Sequence, residues 1–101
     1  EYTLHGWCHT IPNAMIVAAA LLYGHGDYGR TICMAVQTGF DTDCNGATAG
    51  SVLGMIKGID SISEYWKESM HDTHTSIFQV GTIRISDGVK KTMEHIHMLH
   101  N

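Results

Sequence analysis

Residues 39–58 read GFDTDCNGATAGSVLGMIKG. Asp41 and Asp43 flank Thr42 shortly after Gly39, and a glycine then recurs every fourth residue, at Gly46, Gly50, Gly54 and Gly58. A four-residue period keeps positions on one face of an α-helix, so the stretch predicts a helix from Asn45 to about Gly58 with bare backbone along one stripe. Each glycine inside a helix costs about 1 kcal/mol relative to alanine, and such a stripe needs a compensating contact. Close packing against a neighbouring helix is the ordinary compensation; approach of a ligand to the backbone near Gly46 and Gly50 is the sharper one.

The segments on either side also read as helices. Thr10 is the expected cap of a first helix with Pro12 in its first turn and Gly24 as its stop. Its stretch AMIVAAALLY (14–23) is apolar nearly all round and is expected to sit deep, yet it has about half of the roughly 20 residues needed to cross a bilayer. Asp27 is placed to cap a second helix carrying Tyr28, Ile32 and Val36 at helical spacing, ending at Gly39. Ser61 and Glu64 have capping-box spacing and predict a short amphipathic helix through Tyr65 and Trp66. MHDTHT (70–75) interrupts it, and SIFQV (76–80) and TIRI (82–85) each fit a short strand or an extended segment. Ser86 is the expected cap of a last helix, with Val89, Met93, Ile96 and Leu99 inward and Lys90, Lys91 and Glu94 outward. The class is all-α, with at least four helices and no internal repeat.

Composition narrows the function. With 44% hydrophobic and 16% charged residues the 101-residue chain suits one globular domain rather than a disordered tail. A net charge of −4, six Lys plus Arg and no basic run argue against a nucleic-acid backbone or an anionic membrane as partner. Cys8, Cys33 and Cys44 are odd in number and lack CxxC spacing, which predicts free thiols and a reducing, cytoplasmic setting. The N-terminal EYTLHGWCHT has neither the basic nor the apolar region of a signal peptide.

Several chemistries compete for Asp-Thr-Asp. Asp41, Asp43, Asn45 and Gly46 fall on positions 1, 3, 5 and 6 of a calcium loop, but Val52 stands where the bidentate glutamate belongs. A capping reading, with Asp43 or Asn45 accepting the first N–H groups of the following helix, explains one acid and leaves the other. Paired carboxylates in a loop also suit a hard divalent cation such as Mg²⁺. The histidine pairs His71/His74 and His97/His100 lack cysteines at zinc spacing and read as solvated side chains. Cys8 beside His9 makes no nucleophile and base, because adjacent residues rarely address one substrate atom. Trp7 and Trp66 read as core or interface anchors.

A longer set of motifs is more specific. HTIPNAMIVAAALLYG (9–24), the 39–58 stretch, EYWKE (64–68) and IRISD (83–87) together resemble the C-terminal part of the ADP-ribosylglycohydrolase domain, over about His9 to Ser86. The resemblance implies an all-α, orthogonal multi-helix domain with a binuclear Mg²⁺ or Mn²⁺ centre that hydrolyses the glycosidic bond between ADP-ribose and an acceptor. It places metal ligands at Asp41 and Asp43, with Asp43 bridging the ions. The family motif continues with threonine where this chain has Cys44, so that ligand is lost or replaced by water. Gly39, Thr42, Asn45 and Gly46 are the accompanying candidate ligand-binding residues, and the N-terminus of the glycine-striped helix a candidate holder of phosphate oxygens. The family's other ligands, in a Thr-Asp-Asp stretch, and its catalytic acid belong to an N-terminal half that residues 1–101 do not include, so the chain is expected to be one part of a single domain and inactive alone. The partners implied are that half and an ADP-ribosylated substrate. The alternative is a non-catalytic relative that binds a nucleotide-like ligand or a partner chain, with the loop serving only to cap a helix.

Overall fold

The computed structural model describes residues 6–76 and 81–100. They divide after Ile62 into two compact units, and the helical class is as the sequence predicts. The first unit holds α1 (Thr10–Tyr23), α2 (Tyr28–Gln37) and α3 (Thr42–Lys57), each packed against the other two, followed by a 3₁₀ turn over Ile59–Ser61. One alanine from each helix meets at the centre: Ala20, Ala35 and Ala49 are buried together, with Met34 against them. A methyl contributes little by burial, about 1 kcal/mol at most, so small side chains serve here mainly to let the backbones approach.

The glycine stripe is part of the same close approach. Tyr28, Ile32 and Val36 of α2 lie along it in antiparallel order: a Cβ at Gly46 would stand 3.2 Å from Val36, and one at Gly50 would stand 3.0 Å from the Tyr28 hydroxyl and 3.5 Å from Ile32. Gly54 is looser, with only ordinary contact to Ile62 and Tyr28. Gly58 has φ +79°, a backbone that side chains rarely adopt, and it ends α3. Helix packing is therefore the compensation for the stripe. Gly24 acts through space too: its φ is −73°, but a Cβ there would collide with Thr31 and with the Ala20 carbonyl.

Four expectations are corrected in this unit. Thr10 is the first residue of α1, not its cap; His9 holds the cap position without a side-chain bond. The apolar α1 does not sit deep, because α2 and α3 cover one side of it and leave Leu22 and Tyr23 exposed. α3 starts at Thr42, three residues ahead of the expected Asn45, so Asp43 belongs to its first turn. Neither Asp43 nor Asn45 is the cap: Asp41 takes that position and makes no side-chain capping bond. Asp27 caps α2 as predicted, accepting the Arg30 N–H at 2.8 Å.

The second unit, from Ser63, holds the one-turn α4 (Glu64–Lys67), a 3₁₀ turn (Glu68–Met70), strands β1 (Thr73–Thr75) and β2 (Thr82–Arg84), and α5 (Ile85–His100). Ser63, not Ser61, caps α4, accepting the Tyr65 N–H; the Ser61 hydroxyl donates back to the Gly58 carbonyl. TIRI supplies β2, which pairs antiparallel with β1 inside MHDTHT, and most of SIFQV lies outside the described residues. Ser86 does not cap α5. Asp72, itself at φ +52°, does so from across the hairpin: its carboxylate accepts the Ser86 N–H at 2.9 Å and the Ser86 hydroxyl, and its carbonyl accepts the Ile85 N–H. These bonds hold the Asp72 carboxyl below its ordinary value. Val89, Met93, Ile96 and Leu99 are exposed rather than inward.

Candidate metal centre

Asp41, Asp43 and Cys44 converge at the start of α3. One ligating atom from each lies within 4.8 Å of the other two, with Asp41 half-buried and the others exposed. Local backbone explains the convergence. Gly39, at φ +76°, turns the chain out of α2, and Asp41, at the N-cap of α3, is followed at once by helical residues that fold Asp43 and Cys44 back beside it.

The electrostatics follow from this crowding. The Cys44 thiol donates to the Asp41 carboxylate, and both carboxylates repel a thiolate; together these raise the thiol above its ordinary value. Cys44 stays a protonated, soft donor beside two hard ones. Cys8, Cys33 and Cys44 are all free thiols.

Two of the three, Asp41 and Cys44, line a groove of about 520 Å³ between α1 and α3. Asp41 and Cys44 stand at its polar end, and Val17, Ala18 and Leu21 of α1 form an apolar wall. Beneath the polar end is a buried amide pair. Asn13 Oδ1 accepts the Asn45 side-chain N–H at 2.7 Å and the Asp41 backbone N–H at 3.1 Å, while Asn13 Nδ2 donates to the Trp7 and His9 carbonyls, each at 2.7 Å. Of the candidate ligand-binding residues, Gly39 shapes the turn, Thr42 opens α3, Asn45 lines the groove with its amide committed to Asn13, and the bare side of Gly46 meets Val36. Asn13 is the residue that the sequence reading missed. A single amide inside the apolar run from Pro12 to Tyr23 is the signal that points to it, since a buried amide needs partners.

The family model described as ADP-ribosylglycohydrolase matches residues 1–95. The chain belongs to the ADP-ribosylglycohydrolase family. No curated protein and no solved structure matches it. ADP-ribosylglycohydrolases are generally metal-dependent, and the donor set fits a divalent cation in its chemistry. Asp41 and Asp43 offer carboxylate oxygens that no helix cap consumes, and Cys44 offers sulfur, which suits hard cations poorly. Among the described residues no helix is long and apolar enough to cross a membrane.

Proposed function

We propose that the chain is the C-terminal part of a metal-dependent hydrolase that releases ADP-ribose from an acceptor by cleaving its glycosidic bond, and that Asp41 and Asp43 provide this part's share of a binuclear Mg²⁺ or Mn²⁺ site. The observation that carries the reading is the Asp41–Asp43–Cys44 cluster, with Asp41 and Cys44 lining a groove, in a chain of this family. Two carboxylates fall short of the roughly six oxygen donors that such an ion takes, so the remaining ligands come from the substrate, water and the N-terminal half of the domain. Divalent ions held there would supply charge stabilisation and an activated water at the anomeric carbon. The chain's own residues bind and orient. Asp41 and Asp43 would hold the ions, the N-terminus of α3 would face phosphate oxygens, and the α1 wall would seat the less polar part of the substrate. The Asp41 carboxylate caps no backbone N–H and bonds only the Cys44 thiol among the interactions described, which favours this over a loop that only caps a helix.

In the intact protein, Asp41→Ala and Asp43→Ala should each lower Mn²⁺-dependent release of ADP-ribose by more than about 100-fold while the circular-dichroism spectrum keeps its helical form. A variant that retains the parent rate overturns the assignment.

A further inference from the structure

We infer that Asn13 is a positioning residue for the metal centre, acting on Asp41 through the backbone. The inference rests on the metal-site reading above. Asn13 is 9% exposed and Asn45 4%, and they join helices 32 residues apart in sequence through a side-chain bond of 2.7 Å. If this were only a tie between α1 and α3, the Asn13–Asn45 bond would be sufficient. Asn13 Oδ1 instead accepts two donors, and the second, at 3.1 Å, is the backbone N–H of Asp41 itself. The two bonds donated from Nδ2 to the Trp7 and His9 carbonyls stop the amide from flipping or rotating away. Every described buried side-chain polar atom, these amides included, has a partner.

Asp41 needs such a hold. It stands at φ −81° and ψ 76°, outside the helical region, and its side chain makes no capping bond to fix it. The Asp41 carbonyl is tied into α3 by accepting the Asn45 N–H at 2.9 Å, and the Asp41 N–H is the group by which α1 holds this residue, through Asn13. Held there, the Asp41 carboxylate stays within reach of Asp43 and Cys44. Partners that orient a metal ligand typically account for about 10- to 100-fold in metal affinity.

A merely structural role can be separated from this one because apolar replacement of both members of a buried polar pair can be nearly neutral for stability. Asn13→Leu leaves the Asn45 amide and the Asp41 N–H orphaned; Asn13→Leu with Asn45→Leu packs two apolar side chains and restores the tie, but not the acceptor for Asp41. Mn²⁺ affinity of the intact protein, read by electron paramagnetic resonance, should fall about tenfold or more in the single variant and remain low in the double variant, whose melting temperature returns toward the parent's. Asn45→Leu alone, which keeps the bond to Asp41, should bind Mn²⁺ more tightly than Asn13→Leu. A double variant with parental Mn²⁺ affinity overturns the inference and leaves the metal site standing. A parent protein that binds no Mn²⁺ overturns the site itself.

Discussion

Cys44 carries the clearest chemical signature of the site at the level of one residue. Its thiol is exposed, and the adjacent Asp41 carboxylate makes the thiolate harder to form. Because alkylation proceeds through the thiolate, Cys44 should react with iodoacetamide at pH 8 more slowly than an ordinary cysteine near pKa 8.5, and Asp41→Asn should accelerate it. Peptide mass spectrometry after timed labelling checks this; equal rates in parent and variant would separate the thiol from the carboxylate. The Asp41–Asp43 pair was legible in the sequence because its members are two positions apart and one turn of chain brings them together. Asn13 was not, since the bond that gives it meaning crosses 28 residues and depends on how α1 lies against α3.

Among the elements, the glycines sort by what stands opposite each one. Gly54→Ala gains helix propensity and meets only ordinary contact, so it should stabilise the chain by up to about 1 kcal/mol. Gly24→Ala drives a methyl into Thr31 and a backbone carbonyl and should cost about 1–3 kcal/mol. Urea denaturation distinguishes the two, and a stabilising Gly24→Ala would refute the close approach. The stripe was legible as helix packing because its period is local. The caps were less so: Ser61 and Ser86 satisfy a spacing rule, but Ser63 and Asp72 hold the geometry, Asp72 from the far side of a hairpin that short alternation does not reveal. The Asp72 bonds also set a pH dependence. Its folded value is depressed, so its contribution is present above the unfolded value of about 3.9 and is lost as the pH falls toward the folded one. The Ser86 amide resonance should titrate with a midpoint below about 3.9, and Asp72→Ala should abolish that titration and lower the helix content. A midpoint at or above that value would remove the cap.

For the whole molecule, all-α class was readable from periodicity and capping residues, whereas the degree of burial was not. Apolar composition predicts a deep α1, but a helix is covered only as far as it has neighbours, and among the described residues α1 packs mainly on α2 and α3. Leu22 at 73% exposure, Met55 at 87% and Ile56 at 70% leave large apolar faces on the first unit. Expressed by itself, the 101-residue chain should therefore sediment as species heavier than a monomer, and co-expression with a chain supplying the proposed N-terminal half should reduce that association. A monodisperse monomer would show that these faces need no cover. The amide pair of Asn13 and Asn45 bears on the order in which the first unit is made. α1 packs on α2 and α2 on α3 across short turns, pairings of the kind that form fast because little chain entropy is spent in closing them. The contact between α1 and α3 that seats Asn13 on Asp41 spans 28 to 32 residues and is expected to close after both hairpins. The Asp41–Asp43 pair proposed to hold a cation is then expected to be among the last features to assemble, so a chain caught part-way in folding would be helical already and still unable to hold an ion.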